Sequence, residues 1–263
     1  MKIAILLATY NGEKFLREQI DSILHQTNKS WILYIRDDGS CDQTVAIINE
    51  YTSLYDNIIL LSDSVLKRGA CSNFLSMLEN VDADYYLFCD QDDVWFSTKV
   101  DILVEILLLE ESRYNQMPIL INTDLVITDE ALNIIAPSMW NNKVNHLEIA
   151  KKYLCVTNFV TGCTVIFNNE AKRCAFPVSR HATMHDHWLA MSIMASGGKI
   201  FSIPVATSYY RQHASNALGA FRKKGIFDIS YNKKLYKMAR EKTGISFISF
   251  AFRKIIFTLK KYI

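Results

Sequence analysis

Four short segments carry residues whose types and spacing could do chemistry. The densest is Phe88-Cys89-Asp90-Gln91-Asp92-Asp93-Val94-Trp95. Three carboxylates in four residues repel one another unless a cation offsets them. Carboxylate oxygens suit a hard divalent ion, Mg²⁺ or Mn²⁺, which takes one or two protein carboxylates and completes its shell with substrate phosphates. The bland alternative is a solvated acidic turn capping the next helix, and short motifs match often by chance. Position decides for the metal reading, because the motif directly follows an apolar, strand-like run. The second segment, Asp37-Asp38-Gly39-Ser40, could accept hydrogen bonds from a base or ribose, although an Asp-Gly turn is the simpler account of it alone. The third, His185-Asp186-His187-Trp188, permits acid–base work, with a helix-start role for Asp186 as its rival. Its two histidines are spaced i, i+2, which is wrong for two metal ligands on one helical face. The fourth is Tyr210-Arg211-Gln212-His213, where a lone histidine is by default structural.

These segments need a scaffold that brings them together. Residues 2–8 form a continuous apolar run, as a buried parallel strand should, and Asn11-Gly12 breaks it. Helical spacing follows through Phe15, Leu16, Ile20, Ile23 and Leu24. Further strands are expected at Trp31–Ile35, Ile58–Leu61 and Tyr85–Cys89. Helices are expected around Val45–Ile48 and Asn73–Leu78, and from a Ser97 cap to about Ser112. This alternation implies an α/β fold with a mostly parallel sheet, whose ligands bind beyond the carboxyl ends of the strands. Thr9-Tyr10-Asn11, Asp37-Asp38 and Asp90-Gln91-Asp92-Asp93 should therefore line one crevice. No GxGxxG loop follows the first strand, which disfavours dehydrogenases and Walker-type NTPases. Later strands are expected at Ile119–Thr128 and Thr161–Asn168. A helix is expected at Asp186–Ser196, and Ile200–Tyr210 should be extended, with an edge or bend at Pro204.

The chain has 263 residues, half of them hydrophobic, which suffices for a sizeable core and excludes a disordered chain. Its net charge of +2 argues against nucleic-acid binding. That total conceals an uneven distribution. Residues 221–263 hold twelve Lys and Arg against Asp228 and Glu241, a net +10, so residues 1–220 stand at −8. Aromatic and aliphatic residues alternate with Lys and Arg through residues 245–263, which suits an interfacial membrane helix and equally a helix packed on the domain with a solvated basic face. Six scattered cysteines form no CxxC pair, and the chain opens on a strand with no signal-peptide layout. A reduced, cytosolic compartment is the expectation.

The segments Ile5-Leu-Leu-Ala-Thr-Tyr-Asn-Gly-Glu13, Ser22-Ile-Leu-His-Gln-Thr27, Asp37-Asp38-Gly39-Ser40 and Asp90-Gln91-Asp92-Asp93-Val94-Trp95 together resemble the family 2 glycosyltransferases. The likeness is dense over residues 1–100. It continues more weakly through Thr161-Gly162-Cys163, His185-Asp186 and Tyr210-Arg211-Gln212-His213, and stops near residue 220. It is nearest in character to the rhamnosyltransferase-like branch that assembles bacterial surface polysaccharides.

The resemblance implies a GT-A fold over residues 1–220, with a nucleotide-sugar half at 1–100 and an acceptor half at 101–220, followed by basic amphipathic helices at 221–263. It implies nucleotide-sugar contacts at Ala8, Thr9, Asn11, Asp38, Arg68 and Asp90. Asp92 and His213 would hold Mg²⁺ or Mn²⁺, and Asp186 would be the catalytic base. Asp93, Trp95, Thr161, Gly162 and His185 would touch donor or acceptor, with His185 standing where relatives often carry Glu. The implied reaction is inverting transfer of a sugar, L-rhamnose from a dTDP donor at the narrowest, to a lipid-linked saccharide at the cytoplasmic face of the inner membrane. The alternatives are a nucleotidyltransferase and a non-catalytic sugar-nucleotide-binding assembly protein.

Overall fold

The computed structural model describes residues 1–62, 69–141, 152–214 and 229–261. Its centre is one mixed sheet. β1 (Ile3–Thr9) is a fully apolar strand up to Ala8 and pairs in parallel with β2 (Trp31–Asp37) and with β4 (Tyr85–Asp90). β3 (Ile58–Leu60) extends the parallel half beyond β2. On the other side come β8 (Val165–Asn168), β6 (Ile119–Thr128), β9 (Lys199–Arg211) and the short β5 (Val94–Trp95), giving the order β3-β2-β1-β4-β8-β6-β9-β5. β8 is antiparallel to β4 and β6, while β9 runs parallel to β6; β7 (Ile134–Ala136) pairs with β6.

The two-residue period of β1 builds a core on each side of the sheet. Ile3, Ile5 and Leu7 face α1 (Leu16–Leu24), α2 (Thr44–Leu54) and α4 (Lys99–Arg113). Ala4 and Leu6 face the opposite cluster, which holds α3 (Ala70–Asn80), α5 (Asn169–Cys174), α6 (His185–Ala195), α7 (Ile229–Thr243) and Phe250 of α8 (Phe247–Lys261). The parallel, doubly covered half follows the sequence expectation. The expected boundary near residue 220 lies outside the described residues. Leu235, Met238 and Ala239 of α7 are fully buried in the same core as β1.

Several local expectations need correction. Thr161–Asn168 is not one strand: a single 3₁₀ turn, Gly162–Thr164, precedes β8. That turn is held by Thr161, whose carbonyl accepts both the Thr164 N–H and the Thr164 hydroxyl. Ser97 does not cap α4, which starts after Thr98 with no side-chain cap; the Ser97 carbonyl instead accepts from Thr27. Of the edge or bend expected at Pro204, the structure shows the bend, since the β6–β9 register jumps from Thr123↔Ile203 to Asp124↔Ala206. A proline supplies no ladder N–H, so the jump falls where the ladder is weakest.

Candidate active site

Register alone sets the crevice. Thr9 lies opposite Asp37, and Ala8 opposite Asp90, so the carboxyl ends of β1, β2 and β4 finish level. The two turns beyond them are tied to each other. Asn11 sits at φ 46, and its carboxamide accepts the Cys41 N–H at 2.9 Å, while its own N–H donates to the Ser40 hydroxyl at 2.8 Å. Asp37 closes its own turn by accepting from the Gly39 and Ser40 amides. Asp38 is buried and faces inward: it accepts the Gly69 N–H at 2.6 Å and lies 3.5 Å from the Arg36 guanidinium. The two acidic neighbours thus have different tasks. Asp37 shapes the loop, and Asp38 ties β2 to the start of α3. Arg68, directly before Gly69, lies outside the described residues.

The acidic motif is divided in the same way. The Gln91 carboxamide pairs with both backbone groups of Tyr10, at 2.9 and 3.0 Å, and its Oε1 would lie 2.3 Å from a Cβ added at Gly12. Gln91 therefore fastens the motif to the β1 turn, and a side chain at position 12 would push its carboxamide out of that pairing. Asp92 lies toward the crevice mouth, with a carboxylate oxygen 2.8 Å from His213 Nε2 and the two side chains 14% and 9% exposed. Asp93 points the other way and is fully buried. It accepts the Arg211 N–H at 3.2 Å. Carboxylate oxygens of Asp90 and Asp93 and the Cys163 sulfur all lie within 4.8 Å of one another. Burial, then the charges of Asp92 and Asp186, raises the Asp90 pKa to about 7. Burial and the charge of Asp92 hold Asp93 well above the carboxylate range. The Lys99 ammonium is buried behind this cluster, 4.4 Å from the Trp95 ring centroid and 2.6 Å from the Cys163 carbonyl.

The donor set decides where a hard divalent ion fits. Burial keeps the Cys163 thiol protonated, so the Asp90–Asp93–Cys163 group offers a neutral soft donor and a sealed carboxyl. That suits neither Mg²⁺ nor Mn²⁺. Asp92 and His213, with the half-buried Asp90 beside them, offer oxygens and an imidazole at the mouth, a donor set that fits a hard divalent ion.

Asp186 stands in the first turn of α6, a helix buried from His185 to Ile193. Its carboxylate accepts the His187 N–H at 2.6 Å and the Gly162 N–H at 3.1 Å. Burial raises its pKa to about 6, against hydrogen bonds from the His187 N–H, Asn158 and the Gly162 N–H that hold it down. That places a base near neutrality, where general-base catalysis is most effective. The neighbouring histidines are pinned elsewhere. His185 is sandwiched in the core, 4.0 Å from the Phe74 ring and edge-on to Phe88 at 4.7 Å, and burial lowers its pKa to about 3. His187 Nε2 lies 2.7 Å from the Leu154 carbonyl. Gly162 fits against this pair because an added Cβ would meet His185 Nε2 at 2.6 Å. Thr161 is half-buried beside it, and Trp95 packs among the core residues of the α1 and α4 face.

Sequence reasoning missed Arg211. Its side chain is almost fully buried and joins four segments. The guanidinium donates to the Asp92 carbonyl at 2.9 Å, to the Glu130 carbonyl at 2.5 Å and to the Glu18 carboxylate, and lies 4.6 Å from the Phe15 ring centroid. His213, two residues on, packs on the same Phe15 at 4.8 Å. Its sequence signal is its place inside Tyr210-Arg211-Gln212-His213, two residues before the histidine.

With this geometry in view, residues 4–176 match the glycosyl transferase family 2. The chain belongs to that family. It is a glycosyltransferase, and the nucleotidyltransferase alternative falls away. The dTDP-rhamnosyl transferase RfbG of Shigella flexneri is 27% identical over 92% of this chain and 86% of its own length. The Escherichia coli enzyme WfaP, named as a UDP-Glc:alpha-D-GlcNAc-diphosphoundecaprenol beta-1,3-glucosyltransferase, is 25% identical over 81% of this chain and 78% of its own length. Among solved structures, S. aureus TarS residues 1–349 with UDP-GlcNAc superposes with a TM-score of 0.66 at 15% identity, covering 96% of this chain and 69% of TarS 1–349. The mannosyltransferase PcManGT of Pyrobaculum calidifontis, solved with GDP-Man and Mn²⁺, gives 0.61 at 16% identity, covering 88% of this chain and 59% of its own. The GT-A fold of the transferase follows from these superpositions.

Proposed function

We propose that this transferase is a metal-dependent, inverting enzyme that moves L-rhamnose from dTDP-rhamnose to a lipid-linked saccharide in bacterial surface polysaccharide synthesis, at the cytoplasmic face of the inner membrane. One observation carries the mechanistic part. Asp186 is a buried carboxylate with a pKa of about 6, oriented by two backbone amides, and its charge is felt at Asp90 of the acidic motif. The donor part is supported by the rhamnosyl transferase relative, which is similar over nearly the whole chain. The acceptor part is supported by a relative whose name specifies a diphosphoundecaprenol-linked sugar.

In this reading Ala8, Thr9 and Asn11 border the nucleotide through the β1 turn, Asp38 meets the base and Asp90 the ribose. Asp92 and His213 hold the divalent ion, which when bound offsets charge on the diphosphate leaving group. Asp186 takes the proton from the acceptor hydroxyl as the oxygen attacks the anomeric carbon from the face opposite the nucleotide. The C–O bond to the diphosphate breaks as the new one forms, so configuration inverts without a covalent intermediate. Asp93, Trp95, Thr161, Gly162 and His185 shape the walls behind these groups. The test is a panel of dTDP-rhamnose, UDP-glucose, UDP-GlcNAc and GDP-mannose with Mg²⁺ or Mn²⁺, scored for nucleoside diphosphate release. The expected result is preference for dTDP-rhamnose and dependence on the metal. Greater turnover of a UDP-sugar overturns the donor assignment, and full turnover in chelator overturns the metal assignment.

A further inference from the structure

Helix α8 presents the wrong side to water for a helix that only packs on its domain. Phe250 is 4% exposed within the core, and Phe257 packs against the same cluster. On the opposite side Ile248, Phe252 and Ile255 are 81%, 64% and 59% exposed. At 3.6 residues per turn, positions 248, 252 and 255 form one stripe, half a turn away from 250 and 257. Arg253 and Lys254 of α8 do not cover that stripe. The Lys254 ammonium donates to the Val156 carbonyl and the Arg253 guanidinium to the Lys152 carbonyl, each at 2.9 Å. They anchor the helix to the 152–156 segment, so the outward face from Ile248 to Ile255 is apolar instead of basic.

The neighbouring helix supplies charge. Leu235, Met238 and Ala239 of α7 are buried, while Lys233, Lys237 and Arg240 form an exposed row at i, i+4 and i+7. Tyr236 locks the two helices, with its ring 5.3 Å from Phe247 and 5.4 Å from Phe250. Glu241, the one acidic residue among the described residues of the pair, is engaged by Ser179 and lies 3.6 Å from His181. No helix among the described residues is long and apolar enough to cross a membrane.

We infer that the Ile248–Phe252–Ile255 stripe and the α7 cation row form a docking surface for an anionic lipid bilayer. The stripe inserts among acyl chains with α8 lying in the plane of the interface, and the cations meet the headgroups. Charge selects this occupant. A second copy of the chain would bring a second positive pair of helices to the same place, whereas anionic headgroups complement the row. For its purpose the surface rests on the lipid-linked acceptor reading; its existence does not.

The test is sedimentation of the full chain with phosphatidylcholine vesicles with and without phosphatidylglycerol, in the absence of sugar substrates. Wild type should bind the anionic vesicles and lose binding as salt rises. The triple variant Ile248→Ser, Phe252→Ser, Ile255→Ser should bind about tenfold more weakly or worse, and Lys233→Gln, Lys237→Gln, Arg240→Gln should lose the preference for anionic lipid. Both variants change exposed side chains and should keep the wild-type melting temperature. Failure of wild type to sediment with anionic vesicles, or wild-type binding by the serine variant, overturns the inference. So does a wild-type dimer in light scattering that the serine variant turns into monomer. Vesicle binding by an enzyme that transfers only to water-soluble saccharides would overturn the acceptor reading and leave this surface standing.

Discussion

Asp186 and His185 are adjacent in the chain and have opposite fates, and burial is the cause of both. Burial disfavours the charged form of each, so it raises the carboxylate to about 6 and lowers the imidazole to about 3. His185 therefore stays neutral at any working pH and serves as a packing group. Asp186 becomes a base only above about 6. The value of kcat/KM should fall along an acid limb with its midpoint near 6, read from a pH–rate profile; a flat profile from pH 5 to 8 would remove Asp186 from the role. The same shift has a sign for stability. The native carboxyl binds its proton more tightly than the unfolded one, whose pKa is about 3.9. Its contribution to stability is full below that value and is lost as pH rises through about 6. The Asp186→Asn variant, which cannot ionise, should therefore gain melting temperature relative to wild type at pH 8 more than at pH 5. At the mouth, Asp92 and His213 set a second expectation. His213→Ala should weaken Mn²⁺-dependent nucleotide binding about tenfold or more while leaving metal-independent binding unchanged, as read by calorimetry with and without Mn²⁺.

Two contacts between elements hold the site, and each can be broken singly. Gly162 lets the 3₁₀ turn lie against α6. Gly162→Ala would place a Cβ 2.6 Å from His185 Nε2, and that ring is backed by Phe74 and Phe88 and has nowhere to move. The expected cost is about 1–3 kcal/mol by overpacking. Transfer should fall further than stability accounts for, because Gly162 N–H also orients Asp186. A variant with wild-type melting and wild-type rate would contradict this. Arg211 is the other contact, joining the end of β9 to the acidic turn, α1 and the β6–β7 connection. Arg211→Leu leaves the Asp92 and Glu130 carbonyls without their partner, at about 1–3 kcal/mol. Glu18 is 58% exposed and adds little to that. The KM for donor should rise because Asp92 and His213 lose their support, and Arg211→Lys should restore less than half of the lost melting temperature. Periodicity showed the parallel half plainly, since β1, β2 and β4 are continuous apolar runs ended by polar residues. It did not show β5, β7 or the 3₁₀ turn. Those are two- and three-residue pieces fixed by tertiary partners such as Tyr209 for β5 and Ile127 for β7, and they leave no period to read.

Over the whole molecule, the charge asymmetry maps onto two separate regions. The acidic residues that matter converge at the carboxyl edge of the sheet, and the basic residues of α7 lie on a separate helical pair packed against the same core. That Asp37, Asp38, Asp90, Asp92 and Asp93 gather at neighbouring strand ends was legible, because each pair or triplet directly follows an apolar strand run. The division of labour within each motif was not legible, since it depends on which side of a turn each side chain leaves. Asp37 and Gln91 hold the turns at the sheet edge, while Asp38 reaches back to the start of α3 and Asp92 to His213. Lys99 was hidden for a related reason: a lysine in a helix reads as solvated, and only the packing shows it buried against Trp95. In the proposed mechanism Asp186 is the base of an inverting sugar transfer completed by a metal at Asp92 and His213. The most direct measurement is transfer by Asp186→Asn alongside its binding of donor and Mn²⁺. Wild-type donor and metal affinity are expected, with transfer reduced on the order of 10²–10⁴-fold. Transfer at the wild-type rate would contradict the mechanism.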